Sequence, residues 1–339
     1  MDTNTTAVAA ATADQVHTLV RDAFIRCNTS QANAESVASA LVAAELAGQT
    51  GHGLRRVTSY CAQALSGKVD GHATPGFEKP AAATLKINAA NGFAYPALDV
   101  MQAHLPQMAR ENGIAIAGIS RSHHCGVAGV VVEKLANEGL VALLFANTPG
   151  AMAPWGGNKA LFGTNPIAFA APQTGGDPIV VDVSLSKVAR GKIMAAKQKG
   201  DPIPEGWALG PDGEPVTDAN VALQGTMVPL GDAKGTALAL MVEIMAASLI
   251  GANTADKASS FFEADGPPPG VGQTIIAIDP TKIGGESAID RFADMASSIS
   301  AQSGARVPGQ RRQDLKRDLL ANGIEVPAEL RAEIEALGQ

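Results

Sequence analysis

Two short histidine-bearing stretches carry the residue types that general acid–base chemistry uses. In the first, His52 stands between Gly51 and Gly53 at a helix start, and Arg55 and Arg56 follow within one turn. The glycines leave the imidazole uncrowded and backbone N–H groups free. A guanidinium at that spacing forks onto a carboxylate while the histidine gives or takes the proton of a nearby carbonyl. Two solvated arginines on a surface helix are the plainer alternative, and a lone His-Gly-x-x-Arg decides nothing. In the second stretch His123, His124 and Cys125 precede Gly126. Three consecutive residues do not easily point at one ion, and no second ligand cluster has metal spacing, so no metal is expected. His124 ends a strand that feeds a glycine-opened helix, which is where α/β proteins bind ligands. A packed histidine at a strand end is the competing account.

A third stretch, Asn147 to Pro172, sets Pro154-Trp155-Gly156-Gly157 and Gly163-Thr164-Asn165-Pro166 between two apolar, strand-like runs. Glycine pairs admit a ligand close to the backbone, and Thr164 and Asn165 add donors and acceptors. Turns use the same residues, so binding loop and plain turn are equally served. Lys234 within Gly231 to Gly235, and Arg306, Arg311 and Arg312 around Pro308-Gly309, are phosphate anchors or solvated charges. No Gly-x-Gly-x-x-Gly with its acidic partner occurs. Gly126-Val127-Ala128-Gly129 matches it weakly, and neither a Walker loop nor a Gly-x-Ser-x-Gly elbow is present.

The elements that must hold these residues follow from periodicity. Val16, Leu19, Val20 and Phe24 share a helical face, Ser30 caps a second helix, and a third runs from about Leu54 to Leu65, ended by Gly67. Strands are expected at Thr84 to Asn88, Ile114 to Ile119, Leu140 to Phe145, Ile179 to Val183 and Thr274 to Ile278. Between them lie helices at Pro96 to Asn112, interrupted near Pro106, at Val127 to Asn137 and at Ser184 to Lys197. Pro202 to Leu230 is expected to be a long loop over a site. Thr236 to Ile250 is a strong apolar helix, and helices near Glu286 to Ser303 and Asp314 to Ala321 close the chain. Strand–helix alternation argues for an α/β core.

Composition narrows the partners. Of 339 residues, 46% are hydrophobic but only 4% aromatic, which suits aliphatic helices on a buried sheet better than a base-stacking surface. A net charge of -7 disfavours nucleic acid and anionic membrane and leaves a small metabolite. No strongly apolar run of membrane-spanning length is expected. Three widely spaced cysteines, Cys27, Cys61 and Cys125, and a Thr- and Ala-rich start with Asp2 suggest a frayed N-terminus, Met1 to Ala13, and a cytoplasmic protein.

Taken together, these stretches resemble the malate/L-lactate dehydrogenase family of the non-Rossmann type, which also includes ureidoglycolate and sulfolactate dehydrogenases and Δ1-piperideine-2-carboxylate reductases. The resemblance rests on Gly51-His52-Gly53 with Arg56 and Tyr60, on Ser122 to Gly126, on Pro154 to Pro166, and on Asp182 to Lys192. It continues through Pro229 to Gly235, Gly272 to Pro280 and Val307-Pro308-Gly309. It implies an unusual α/β fold, a non-Rossmann nucleotide-binding mixed-sheet domain (71–280) between helical parts at 13–70 and 281–339, the last packing back on the first. It further implies a homodimer with sites near the subunit interface.

The resemblance also implies roles. His52 falls on the proton donor, Arg56 on the substrate-carboxylate arginine, and Thr164 on a further substrate contact. His124 stands both with these and with the cofactor contacts. Those contacts are Cys125, Gly126, Val127, Ala128, Asp182, Val183, Ser184, Ala233, Lys234, Arg306, Gly309 and Arg311, holding NADP or NAD. Two departures matter. The family's usual serine before the histidine is Gly51 here, and Lys192 stands where cyclic-imine reductases look to have a relay aspartate. Both favour a 2-oxo acid/2-hydroxy acid couple of malate, lactate or sulfolactate type over cyclic-imine reduction, with a catalytically silent cofactor-binding protein as a third possibility. Asp182-Val183-Ser184-Leu185-Ser186 and Ala258 to Phe262 resemble the sulfolactate dehydrogenase branch. Lys192 would suit a dianionic substrate or is simply a helix-surface lysine.

Overall fold

The computed structural model describes residues 10–339. Of the start expected to fray, Met1 to Ala9 lie outside the described residues, and the remainder is ordered. After β1 (Ala10–Ala11), Thr12 caps α1 (Ala13–Arg26): its hydroxyl accepts from Gln15 N, and the Gln15 side chain accepts from Thr12 N. This reciprocal capping box satisfies two otherwise orphaned donors. α1 buries Val16, Val20 and Phe24, and α2 (Gln31–Leu46) starts at Ser30, whose hydroxyl accepts from Asn33 N. The helix expected from Leu54 is divided into two 3₁₀ turns, Thr50–His52 and Leu54–Arg56, followed by α3 (Val57–Ser66), which ends at Gly67 with φ 80°. Glu45 takes the Leu54 N–H at 2.6 Å, so that donor is withdrawn from a helical bond and the turns stay separate.

The body alternates as the pattern requires. β2 (Gly76–Ala81) and β3 (Thr84–Asn88) form a hairpin, followed by α4 (Ala94–Asn112), β4 (Ile114–Ser122), α5 (Ala128–Asn137), β5 (Val141–Ala146), β6 (Ile167–Ala171) and β7 (Ile179–Val183). β2 escaped the sequence pattern because all six of its residues are exposed and Pro80 sits in it, as edge strands permit. α4 runs through Pro106 without the expected interruption; Pro106 is buried and the helix packs on β4, so tertiary contact outweighs the lost bond. Then come α6 (Arg190–Lys199), β8 (Ala208–Leu209), β9 (Pro215–Val216), α7 (Ala219–Gln224), β10 (Thr226–Met227), α8 (Ala233–Ala246), β11 (Val271–Ile278), α9 (Pro280–Gly284), α10 (Ala288–Ser300), α11 (Gln310–Asn322), β12 (Ile324–Glu325) and α12 (Ala328–Ala336).

Two expectations for this half are corrected. The helix placed at Ser184 begins only at Arg190, because Leu185 N donates to Thr164 O, Leu185 O accepts from Leu230 N, and Lys187 N donates to Val228 O. Those cross-chain bonds hold residues 184–188 extended. The excursion from Pro202 is not an open loop: β8, β9 and β10 form a small sheet in the order β10-β8-β9, with a core of its own around Met152, Phe162, Ile203 and Met227.

The main sheet has seven strands in the order β2-β3-β4-β11-β5-β6-β7; β3 and β4 run parallel and every other neighbouring pair antiparallel. The strand arriving last in sequence, β11, lies at the centre, buried on both faces. Ile275 and Ala277 join the core shared with α1 to α5, while Ile276 packs with the core under α8, as the period of two demands. β12 pairs with β1, α12 packs on α1 and α3, and α11 packs on α2. One stretch, Ala233–Ile250, is after all long and apolar enough to cross a membrane, with mean hydropathy 1.6 over 18 residues. Its inner side packs on β11 and β5.

Candidate active site

The 3₁₀ turn at Thr50–His52 and the end of β4 meet. Nδ1 of His52 lies 3.1 Å from Nε2 of His124, the two rings stack with centroids 4.9 Å apart, and Nδ1 of His124 lies 2.5 Å from the Tyr60 hydroxyl. Phe261 covers His124 at 5.2 Å between centroids. Burial, reinforced by the Arg56 charge, pushes His52 down to about 4. The same two causes, in the same order, lower His124 well below the ordinary histidine range, while burial pushes the Tyr60 phenol up to about 12. Both imidazoles are therefore neutral at pH 7.

Arg56 stands beside them with an incomplete set of partners. Its Nε donates to Gly51 O at 2.8 Å, its guanidinium carbon sits 4.5 Å above the Phe262 ring, and Nη1 is buried with no partner among the described residues. A buried unpaired guanidinium nitrogen is costly, so it marks a place prepared for an anion. The loop that supplies Phe261 and Phe262 is tied down from α3 and the residues after it. Lys68 Nζ donates to the carbonyls of Ser260, Glu263 and Asp265, Gln63 Nε2 to Glu263 O, and Ser66 Oγ to Ala264 O.

A cleft of about 710 Å³ adjoins this turn, lined by Gly48, Gln49, Arg306, Gly309, Arg311 and Arg312 among others. The loop carrying the arginines docks on β7 through a bond from Val180 N to Pro308 O. Gly309, at φ 92°, lies so close to Val180 that a Cβ would come within 3.1 Å of it. Asp182 accepts from Gly129 N at 2.8 Å in the first turn of α5, and Arg312, paired with Glu133, lies against the same turn. Thus Gly126 to Ala128, Asp182 and the Arg306 to Arg311 loop, far apart in sequence, come together. Val183 and Ser184 follow on the same strand end. Ala233 and Lys234 open α8 a few residues after Leu230, whose N–H donates to Leu185 O, next in sequence to Ser184.

Among the described residues, Thr164 hydrogen-bonds to neither His52 nor Arg56: its hydroxyl lies 3.4 Å from Thr148 Oγ1, and its carbonyl accepts from Leu185 N. Asn165 is wholly buried and structural. Its amide donates to Ala239 O and to Glu243 Oε2, and Glu243 also accepts from Ala255 N and Asn147 Nδ2. Glycine at 163 is required, since a Cβ would meet Thr148 O at 2.2 Å. Lys192 is exposed in the first turn of α6. Sequence reasoning assigned no role to Glu45, Lys68, Tyr95, His123 or Phe261. Apart from Glu45, which meets Leu54 nine positions on, their contacts join residues tens to hundreds of positions apart, and no local pattern announces them.

The malate/L-lactate dehydrogenase family model matches residues 11–335. The chain belongs to that family. A (2R)-3-sulfolactate dehydrogenase (NADP(+)) of Chromohalobacter salexigens is 48% identical over 303 residues, 89% of this chain and 90% of that one. A Δ1-pyrroline-2-carboxylate reductase of Ancylobacter novellus is 38% identical over 327 residues, 96% of each. Among solved structures, the Δ1-piperideine-2-carboxylate reductase of Pseudomonas syringae pv. tomato superposes with a TM-score of 0.92 at 35% identity, covering 97% of this chain and 99% of that one. As a malate/L-lactate dehydrogenase family member the protein is an oxidoreductase, and the mixed sheet without a Rossmann fingerprint is the fold of this family.

Proposed function

We propose that this protein catalyses reversible hydride transfer between a nicotinamide dinucleotide and a small 2-oxo acid/2-hydroxy acid couple of malate, lactate or sulfolactate type. The observation that carries this is the buried, unpartnered Nη1 of Arg56 beside a neutral histidine. The residues present fit a dinucleotide: the cleft is of the right size for one, Arg306 and Arg311 offer phosphate contacts, and glycines admit close approach. NADP is the preferred form in this account, in keeping with the name of the sulfolactate dehydrogenase relative; NAD is the alternative. His124 to Ala128, Asp182 to Ser184, Ala233, Lys234, Arg306, Gly309 and Arg311 would hold it. Bound there, the nicotinamide supplies or accepts the hydride.

The chain's own residues do the rest. Arg56 grips the substrate carboxylate with the fork arm that Gly51 leaves free. With substrate bound His52 carries a second proton; it gives one proton to the carbonyl oxygen in reduction and is left as the neutral ring, which takes that proton back in oxidation, and Thr164 lends a further hydroxyl. The Arg56 charge opposes protonation of His52. A bound carboxylate neutralises that charge, so substrate raises the proton affinity of the group that must deliver a proton. Residues 13–70 supply the proton-transfer turn, 71–280 the nucleotide-binding body, and 281–339 the arginine loop.

The setting is a reducing, cytoplasmic one, with Cys27, Cys61 and Cys125 free and buried. The active unit is a homodimer, because the outer face of α8 exposes Leu238, Leu240, Met241 and Ile244 together. The test is loss of reduced-cofactor absorbance with purified protein and a panel of 2-oxo acids. Cyclic-imine reduction is the second reading, favoured by the names of two of the relatives; offering Δ1-pyrroline-2-carboxylate and Δ1-piperideine-2-carboxylate separates the two.

A further inference from the structure

Gly51 gives His52 no neighbouring hydroxyl to hold it, and its recorded hydrogen-bond partner is His124. We infer that Tyr60 and His124 form a directed hydrogen-bond chain that holds resting His52 with its proton on Nε2, as a donor facing the substrate. This rests on the proton-donor role proposed for His52. Tyr60 and His124 are positioning residues in it, for neither need touch the substrate.

The direction of the chain follows from counting protons. Tyr60 is fully buried, and its hydroxyl has one proton to place. Its recorded partner is Nδ1 of His124, at 2.5 Å. The neighbouring polar group is the Tyr95 hydroxyl, which is buried, interacts with Tyr60 and has no other hydrogen-bond partner among the described residues. If Tyr60 instead accepted from His124 and turned its own O–H toward Tyr95, the Tyr95 O–H would be a buried donor without an acceptor, which folded proteins avoid; with Tyr60 donating to Nδ1, its oxygen stays open to the Tyr95 proton. Tyr60 therefore donates to Nδ1. A neutral imidazole carries a single proton, so that of His124 is on Nε2 and is donated across 3.1 Å to Nδ1 of His52. His52, neutral in turn, keeps its proton on Nε2, the far side of its ring.

The surroundings keep this chain dry and its rings fixed. Phe261 packs on His124, and Tyr60 meets the ring of Phe93 at 5.7 Å. The His123 ring stands edge-on to Tyr60 at 5.1 Å with neither nitrogen bonded, so it adds no competing donor or acceptor. The charged neighbour is Arg56, which disfavours a second proton on either histidine. The two glycines about His52 differ in what they permit. Gly51 borders open space, while Gly53 lies against the Glu45 carboxylate that holds the turn. The turn is thus anchored from behind, and the ring from the side.

Long-range 1H–15N correlation spectra of the full-length protein with labelled histidine report each ring's tautomer, and six histidines are few enough to assign by single His→Gln variants. The expected result is an Nε2–H tautomer for both His52 and His124. In Tyr60→Phe the His124 signal should become a mixture of tautomers, and kcat should fall about 10-fold or more with KM for the oxo acid nearly unchanged, the size expected when an orienting partner is lost. A wild-type His124 protonated on Nδ1, or a Tyr60→Phe protein with both tautomers and kcat unaltered, would overturn the inference. The wild-type spectrum stands by itself if Tyr60→Phe does not fold. Because tautomers are read without turnover, an inactive protein would count against the proposed reaction and not against the chain.

Discussion

The guanidinium of Arg56 lies 4.5 Å above the ring of Phe262, with its Nε committed to the carbonyl of Gly51. The stacking and the Nε bond together fix the plane of the fork while leaving Nη1 free. Phe262 is itself placed by a loop whose carbonyls Lys68 gathers. A buried lysine on a separate segment therefore helps set the plane of the Arg56 guanidinium.

Arg56→Lys should raise KM for the oxo acid by about 10-fold or more with a smaller effect on kcat, since a point charge replaces an oriented fork and cannot also hold Gly51 O. Steady-state kinetics with saturating cofactor measures this. An unchanged KM would place the carboxylate elsewhere.

His52→Ala should lower kcat by about 100-fold or more while cofactor binding, followed by fluorescence, survives. The pH profile gives a second handle. In the oxidative direction His52 must be neutral with Nε2 free to take the hydroxyl proton, so its hydrogen bond with His124 must reverse; burial together with the facing Arg56 holds its free-enzyme value at about 4, against an ordinary 6.5. Protonated enzyme therefore accumulates only near pH 4, and kcat/KM for the hydroxy acid should stay level as pH falls from 7 to about 5. An acid limb centred at the ordinary histidine value would contradict the site's electrostatics.

Two neighbouring glycines should respond oppositely. A Cβ at Gly51 meets nothing within 4 Å, whereas one at Gly53 would fall 2.3 Å from Oε1 of Glu45, which already accepts from Leu54 N. Gly51→Ser should leave stability within about 0.5 kcal/mol and keep or raise activity. Gly53→Ala should cost about 1–3 kcal/mol through forced displacement of a packed carboxylate. Urea unfolding of the two variants compares them, and equal stabilities would contradict the packing.

Much of this was legible before the structure. Helices with caps and one apolar face, such as the one begun by Ser30 and the one ended by Gly67, announce themselves through local spacing. His52, Arg56 and His124 were legible as residue types at suggestive positions. What was hidden depends on contacts between distant segments. Leu185 and Lys187 pair with Thr164, Val228 and Leu230, so a helical pattern there gives way to extended chain. The Pro202 excursion folds because three two-residue strands can pair, a length at which periodicity carries no signal. Tyr60 sits one turn beyond Arg56, yet its hydroxyl finds a ring 64 residues away.

His123 should make the protein acid-sensitive in a way one substitution can remove. It is buried with both nitrogens unpartnered, and burial, then the charges of Arg56 and Lys68, push it down to about 3 from 6.5. Between those values the unfolded chain binds one more proton than the folded one, so stability is full above the unfolded value and is lost as pH falls toward the folded one. One such group contributes up to about 1.4 kcal/mol per pH unit across that window. In His123→Phe the fall in Tm between pH 7 and pH 5 should be shallower, though not abolished, because His52 and His124 titrate in the same sense. A slope equal to that of the wild type would show that His123 does not resist protonation.

The central claim is that Arg56 and His52 serve a 2-oxo acid. The most direct measurement is the initial rate of NADPH oxidation by the purified protein with 3-sulfopyruvate, oxaloacetate, pyruvate, Δ1-pyrroline-2-carboxylate and Δ1-piperideine-2-carboxylate side by side, repeated with NADH. The account predicts the highest kcat/KM with a 2-oxo acid, and with NADPH over NADH. Turnover confined to the cyclic imines, or none with any of the five, would contradict it.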